Sequence, residues 1–174
     1  NFNNGWALYY AGDFTNAVKS FSAIVSDKQS LLPEKEIWRV YIGLGYSHLA
    51  RKEYKEAKDA LKSSLKLNDN YDAHKIIGII EFENKNFNSA IDAFKSSLKL
   101  NPIQYDVASL LSWAYFKTNR NDEAVEGFKK QIVISPYDAD AHYGLALALN
   151  KKGDRKSALN EFYAAINILP GYVA

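Results

Sequence analysis

The chain has 174 residues, 47% of them hydrophobic and 24% charged, which is typical of a folded domain or a short repeat array rather than a disordered segment. Its 22 basic and 20 acidic residues give a formal net charge of +2, so we expect no nucleic acid and no anionic membrane surface as partner. Cysteine is absent, which excludes disulfides, thiolate metal sites and a cysteine nucleophile.

The sequence contains no recognisable membrane-spanning or targeting segment. No apolar run approaches the ~20 residues of a membrane span, and residues Asn1–Gly5 do not combine a charged leader with an apolar segment. We therefore expect no membrane span and no signal peptide in this sequence, and the compartment stays unknown, cytoplasmic or cell-envelope. Because methionine is absent even at the first position, we expect a fragment or a processed form.

Hydrophobic periodicity predicts helices in successive pairs along the whole chain. The first helices of the pairs are predicted at 2–11, 33–50, 71–84, 105–118 and 139–152, and the second helices at 14–25, 54–67, 87–100, 121–134 and 155–168. Short polar turns separate the members of a pair, as at Gly12-Asp13 and Gly153-Asp154. Gly and Asn tolerate a left-handed residue, and Asp or Asn can cap the helix that follows.

An internal repeat underlies these pairs. Near-copies begin at Lys62 and Lys95, 33 residues apart. An alanine column, with steps of 40, 33, 34 and 34, consists of Ala17, Ala57, Ala90, Ala124 and Ala158. Small residues stand twelve positions before each alanine (Gly5, Gly45, Gly78, Ser112, Ala146), and a large apolar residue stands four after it (Phe21, Leu61, Phe94, Phe128, Phe162). The last three repeats place Pro102, Pro136 and Pro170 twelve after the alanine.

This pattern resembles the tetratricopeptide repeat, and the resemblance covers nearly the whole chain. It implies an all-α fold, a right-handed superhelical solenoid of about five antiparallel helix pairs. The chain would be a single array over 1–174, with repeats at 1–29, 37–69, 71–104, 105–138 and 139–170. Such arrays serve chiefly as protein-interaction scaffolds, so the resemblance implies a protein or peptide partner.

The chain departs from the family pattern in its first interval and in its last two repeats. The first interval is longer, with the extra residues in 26–36. We expect there either an unusually long helix that projects Leu31 and Leu32, with Pro33 in its first turn, or simply a longer loop. The aromatic residue that usually begins the second helix is replaced by Asn121 and Arg155 in the last two repeats.

The first helices of such an array line its concave groove, and here they are apolar on two stripes. The candidate partner-binding groove is formed by Trp6, Tyr9, Arg39, Ile42, Tyr46, Leu49, Lys75, Ile79, Phe82, Trp113, Phe116 and Tyr143. We expect an apolar or aromatic partner segment to occupy it, with the large aromatics as anchors. The alternative is that neighbouring helices crowd these side chains and bury them within the array.

Two further functions stay open at this stage. An apolar groove could carry a lipid or another hydrophobic small molecule, which a closed, dry pocket beneath Trp113 and Phe116 would favour. A self-assembling role is the third possibility, because Leu159, Tyr163 and Ile166 are spaced to face a following element and could form a homo-oligomer through the uncapped C-terminal end.

Other polar residues do not assemble into a site for chemistry. Asp72, Asp106 and Asp140 recur along one edge of the groove, either as an acidic row for a basic partner or as first-turn residues that suit the helix dipole; we favour the second. His48, His74 and His142 fall in packing columns, where a structural hydrogen bond is expected rather than a metal. We predict no catalytic residues, no cofactor and no metal, and hence no enzyme.

Overall fold

Helices form where apolar side chains recur three and four residues apart. The computed structural model describes residues 2–26 and 33–170, with the side chain of Glu34 left out. Within these residues there are ten α-helices and no strand. They are α1 Phe2–Tyr10, α2 Phe14–Ser26, α3 Ile37–Ala50, α4 Tyr54–Leu67, α5 Tyr71–Glu83, α6 Phe87–Leu100, α7 Tyr105–Lys117, α8 Asn121–Ile134, α9 Ala139–Lys151 and α10 Arg155–Ile168. The all-α, paired-helix fold class predicted from the repeat is confirmed.

The start of α3 differs from its prediction. Pro33 precedes a single turn of 3₁₀ helix at Glu34–Glu36, and the α-helix begins only at Ile37. The Glu36 N–H donates to the Pro33 carbonyl at 2.7 Å, which closes the tighter turn. The helix predicted from residue 33 is therefore wrong at its N-terminus, and α3 is about as long as the other helices. Leu31 and Leu32 lie outside the described residues.

A left-handed residue separates the two helices of every pair. The positions, each five residues before the repeat alanine, are Gly12, Lys52, Lys85, Asn119 and Gly153, with φ between 59° and 87°. This backbone conformation reverses the chain within a few residues. Asp13 and Asp154 then cap α2 and α10 by accepting from backbone N–H groups, but Asn86 does not cap α6, since its amide donates to Glu81.

The cores consist of the repeat columns. In the first repeat a Cβ added to Gly5 would lie 2.5 Å from the Phe21 ring, and so would one added to Gly43 of α3. Phe21 therefore fills the space that two glycines leave open, one in its own pair and one in the next. In the fourth repeat Phe128 packs in the same way against Gly144 of α9. Both phenylalanines are fully buried.

The chain divides into two compact units, Asn1–Ile80 and Glu81–Ala174, hereafter the N-terminal and C-terminal units. The boundary falls within α5. The N-terminal unit is built on the buried residues around Phe21 and Leu61. The C-terminal unit has a core around Phe128, Leu145 and Ala158. The helix pairs fall inside the predicted repeat ranges, while their assembly into a single array stays a prediction.

Candidate functional site: aromatic faces of the first helices

An aromatic pocket opens on the first helices of the N-terminal unit. Its volume is about 720 Å³. The aromatic pocket is lined by Phe2, Trp6, Tyr9, Tyr10, Trp38, Arg39, Ile42, Tyr46, Asn70, Tyr71 and Asp72. Seven of these side chains are aromatic, so the pocket offers rigid apolar surface with hydroxyl groups at its edge.

Ring contacts hold the pocket in shape. Trp6 is central: its ring packs edge-on against Tyr9 at 5.7 Å and against Tyr46 at 6.0 Å, and stacks on Tyr10 at 6.0 Å. Trp6 also touches the buried Phe21 at 5.5 Å, which ties the pocket to the core. The walls are thus fixed by packing, which lowers the entropy lost when a ligand binds.

Two charged groups are part of the pocket. Burial raises the pKa of Asp72 above its ordinary value, against the opposing effects of nearby Lys75 and of a hydrogen bond from Tyr46. Arg39 is exposed, pairs with Glu36 at 2.9 Å and lies over the Trp38 ring. Because the guanidinium is already paired, the carboxylate of Asp72 is the charge that a cationic group in the pocket would meet.

The C-terminal unit carries a second aromatic cluster on its first helices. Trp113 packs on Phe128 at 5.1 Å and on Tyr143 at 6.5 Å. Its indole N–H donates to the Asp140 carboxylate at 2.9 Å. Asp140 therefore satisfies the polar end of a half-buried tryptophan on the preceding first helix.

The aspartate column has a role that neither sequence interpretation included. All three aspartates stand in the first turn of their helices, as the dipole interpretation expects. Asp72 and Asp140 also accept hydrogen bonds from Tyr46 and Trp113, the aromatic residues of the preceding first helix in the same repeat column. The column thus joins adjacent first helices within each unit.

The structure divides the twelve predicted groove residues into groups. Trp6, Tyr9, Arg39, Ile42 and Tyr46 come together in the aromatic pocket. Leu49, Lys75 and Ile79 are half-buried and do not line it. In the C-terminal unit Trp113 and Tyr143 are in ring contact, and Phe82 packs on Phe87 and Phe94.

Two of the predicted groove residues are buried in the cores, although Ile42 also lines the aromatic pocket. Ile42 packs with Leu61 and Ile76 in the N-terminal unit, and Phe116 packs with Phe128 and Leu149 in the C-terminal unit. Both side chains are buried. Close approach of neighbouring helices covers them, so Phe116 as an exposed anchor is a correction to the sequence analysis.

Phe2 belongs to the same repeat column as the predicted Ile42, but four other pocket residues lie outside every predicted column: Tyr10, Trp38, Asn70 and Tyr71. Trp38 and Tyr71 stand at the starts of α3 and α5, one repeat apart, nineteen residues before their alanines. The recurrence of an aromatic residue at this repeat position was the sequence feature from which both residues could have been predicted. Asn70 is structural, since its Oδ1 accepts from the Ala73 N–H and caps α5.

Each histidine is paired with a carboxylate. His48 contacts Glu53 at 2.7 Å, His74 contacts Asp69 at 2.7 Å, and His142 contacts Glu161 at 2.6 Å. Across residues 2–26 and 33–170 no group of three or more His, Asp or Glu side chains is placed to hold a metal ion. In the same residues no helix combines the length and apolar character that crossing a bilayer requires.

Comparison with models of known protein families identifies the same repeat that the sequence pattern predicts. Sequence models of the tetratricopeptide repeat match residues 2–72 and 42–103, 81–132, and 114–153. The first of these alone spans residues 2–103, more than half of the chain. The chain belongs to the tetratricopeptide repeat family. No curated protein matches it in sequence.

Solved structures share the fold at low sequence identity. The crystal structure of MamA is 24% identical over 94% of this chain and 93% of that chain, with a TM-score of 0.82. YrrB, described as a TPR protein with an unusual peptide-binding site, is 22% identical over 98% of this chain and 86% of that chain, with a TM-score of 0.83. At such identities the likeness establishes the fold alone.

Proposed function

We propose that the chain is a protein-interaction scaffold whose aromatic pocket binds a short segment of another protein. The occupant is an apolar or aromatic side chain accompanied by a basic one. The observation that carries the proposal is the pocket of about 720 Å³ with seven aromatic side chains. Rigid aromatics in a preformed concavity are the side chains that dominate binding energies at protein interfaces.

The basic side chain follows from the electrostatics. Asp72 is half-buried, and burial raises its pKa even though Lys75 and a hydrogen bond from Tyr46 act in the opposite direction. A Lys or Arg of the partner would add a second positive charge beside this carboxylate and would also lie against the faces of Trp and Tyr rings, where cations bind favourably.

The comparisons support the general class. Tetratricopeptide repeats are chiefly interaction scaffolds without catalytic function, and we propose no catalytic role for this chain. YrrB is described as having a peptide-binding site on the same fold, which is consistent with a peptide ligand here.

A lipid carrier is less well supported. The feature expected for it was a closed pocket beneath Trp113 and Phe116. The side chains of Phe128, Leu145 and Leu149 occupy that region, and the aromatic pocket of the N-terminal unit contains Arg39 and Asp72, which disfavour a purely apolar ligand.

The test is a selection from a phage-displayed dodecapeptide library on the intact chain, followed by fluorescence anisotropy on the enriched peptides. We expect enriched peptides to pair an aromatic or large apolar residue with Lys or Arg. Their affinity should fall about tenfold or more in Tyr10→Ala and in Asp72→Asn, because each change removes one of the two recognition elements.

Tyr137→Ala is the matched control, because Tyr10 is 80% exposed and Tyr137 is 85% exposed, yet only Tyr10 lines the pocket. If no peptide is enriched, or if Tyr10→Ala and Tyr137→Ala affect binding equally, the aromatic pocket is not the binding site. Extraction of a bound lipid that Tyr10→Ala releases would replace the peptide with a lipid ligand.

A further inference from the structure

A second concavity lies in the C-terminal unit, on a side of α7 that does not include Trp113. It has a volume of about 710 Å³ and lies between the α6–α7 loop, α7 and α8. We call it the α7–α8 groove; its lining includes Ile103, Tyr105, Leu111, Tyr115, Gln131 and Ile134. Ile103 and Ile134 are largely exposed, so apolar surface faces solvent at its rim.

One glycine in the repeat pattern lets α7 and α8 approach closely at the groove. Three residues after the repeat alanine, the second and third repeats have the buried Ala60 and Ala93, whereas the fourth has Gly127. In the last repeat the equivalent Glu161 forms an ion pair with His142 at 2.6 Å. Gly127 lines the groove, and a Cβ added there would clash with the Ser112 side chain, so glycine lets α8 lie directly against Ser112 of α7.

An orphaned polar atom adjoins the groove. Gln131 is 2% exposed, lines the groove and donates from Nε2 to Ser112 Oγ at 2.9 Å. Its Oε1 is buried and has no hydrogen-bond partner. An unsatisfied buried acceptor destabilises the structure, so a ligand that brings an O–H or N–H donor to this point gains binding energy.

A complementary surface exists on the same chain. Along α10 the exposed face carries Leu159 and Tyr163, preceded by the exposed cations Arg155 and Lys156. This is an apolar stripe with a basic N-terminal end and a phenol hydroxyl near its middle. The groove carries the complementary charge at the corresponding end. There, at the start of α8, it is lined by the carboxylates of Asp122, Glu123 and Glu126.

We infer that α10 of a second copy of this chain docks in the α7–α8 groove, parallel to α8. The lining of α8 runs from Asp122 to Ile134, ~18 Å at 1.5 Å per residue. The α10 face from Arg155 to Ile166 runs ~17 Å, so the two surfaces match in length.

In this parallel arrangement the basic start of α10 meets the acidic end of the groove, and the apolar part of α10 meets the apolar end of the groove. Asp122 and Glu123 already pair with Lys152 and Arg120, which makes Glu126 the carboxylate that receives Lys156 or Arg155. Tyr163 stands eight residues into α10 and Gln131 nine beyond Asp122. This spacing brings the Tyr163 hydroxyl to the level of Gln131, and rotation of the buried Gln131 amide toward the groove lets Oε1 accept from it.

Such a contact is heterologous, because the groove and α10 are different surfaces. Each copy keeps one unused groove and one unused α10 after pairing, so association continues into chains rather than stopping at a dimer. The contact is separate from the aromatic pocket, so each of the two sites is tested without the other.

The test is sedimentation velocity from micromolar to millimolar concentration. The wild type should increase in mass with concentration. Ile134→Asp, which removes the groove rim, and Tyr163→Asp, which removes the α10 stripe, should each be monomeric alone. An equimolar mixture of the two should form a one-to-one dimer, since one intact groove and one intact α10 remain.

Two variants serve as controls. Val133→Asp alters the neighbour of Ile134, and the two side chains are 81% and 72% exposed, but Val133 does not line the groove. Tyr137→Asp alters an exposed tyrosine away from α10. Both should associate like the wild type, whereas Tyr163→Phe should associate about tenfold more weakly through loss of the hydroxyl donor.

A wild type that stays monomeric throughout, or a mixture that stays monomeric, overturns the inference. Dimers that persist in Ile134→Asp would place α10 against another α10 instead of in the groove. Equal loss in Val133→Asp would mean nonspecific charge repulsion, and unchanged association in Tyr163→Phe would overturn the proposed register.

Discussion

Glu53 is held ionised by two neighbours at the α3–α4 turn. Arg51 Nε donates to one carboxylate oxygen at 2.8 Å, and His48 Nδ1 lies 2.7 Å from the other. Arg51 and then His48 are the main causes that lower the pKa of Glu53 to about 2. Arg51 also donates to Thr15 of α2, so this corner joins the first two helix pairs.

We predict that carbon-detected NMR titration places the Glu53 carboxyl midpoint near pH 2, as its lowered pKa of about 2 requires. A lowered folded-state pKa stabilises the fold above the ordinary glutamate pKa, and this stabilisation is lost as pH falls through the folded value. Arg51→Leu should return the midpoint toward the ordinary range. A wild-type midpoint in that range would contradict the hydrogen-bonded geometry.

The pKa of Asp72 is shifted in the opposite direction from that of Glu53. Burial raises its pKa, so ionisation works against folding, and the loss of stability grows as pH rises through the raised pKa. We predict that Asp72→Asn retains or increases stability at neutral pH and reduces its gain on mild acidification, as followed by urea unfolding at several pH values. Asp59→Asn, which changes an exposed carboxylate of the same unit, is the control. A marked loss of stability in Asp72→Asn at neutral pH would show that the Tyr46 hydrogen bond outweighs burial.

At the scale of the helix pair, the same left-handed turn position occurs five times in the described residues. Three residue types occupy it: Gly, Lys and Asn. Lysine adopts this conformation at a cost of roughly 1–2 kcal/mol, whereas glycine adopts it freely. Lys85 has φ 62° and Gly153 has φ 87° in the C-terminal unit. Both stand between the helices of a pair, and no neighbour lies within 4 Å of a Cβ added at Gly153.

We predict that Lys85→Gly raises the free energy of unfolding by about 0.5–1 kcal/mol and that Gly153→Ala lowers it by about 1 kcal/mol, both through backbone conformation. Chemical denaturation measures both. Lys95→Gly within α6 is the contrast, because there glycine should destabilise by about 1 kcal/mol. Equal effects of Lys85→Gly and Lys95→Gly would mean that the turn conformation carries no strain.

The repeat spacing predicted the helices well, and the exceptions have physical reasons. A 34-residue period with fixed small and large columns determines where helices pair, so nine of the ten helices lie within about a residue of their predicted bounds. The start of α3 was wrong because Pro33 closes a 3₁₀ turn through the Glu36 N–H, and this depends on local backbone geometry rather than on periodicity.

The candidate site was only partly predictable. Trp6, Tyr9 and Tyr46 were found because they repeat on one helical face. Trp38 and Tyr71 were missed because they begin their helices, where side chains lean toward the N-terminus and reach past the helix end. Phe116 was misassigned because the sequence pattern does not reveal how closely neighbouring helices approach.

At the scale of the whole molecule, each unit has its own core residues. Stability in repeat proteins is roughly a sum of repeat terms and nearest-neighbour terms. Phe128 is fully buried between α7, α8 and α9, where it packs on Trp113 and against Gly144. Removal of the Phe128 ring should therefore destabilise α7, α8 and α9 more than the other helices.

We predict that Phe128→Ala costs about 3–5 kcal/mol, as expected for a cavity in a core, and that amide hydrogen exchange by mass spectrometry speeds up most in α7, α8 and α9. Exchange in α1 to α3 should change less, because those helices pack on Phe21 and its neighbours. Val133→Ala, an exposed change on the same helix α8, should leave both stability and exchange nearly unaltered. Uniform acceleration in all ten helices of the described residues would mean that the molecule opens only as one cooperative whole, and that its stability is not the sum of local terms that the repeats imply.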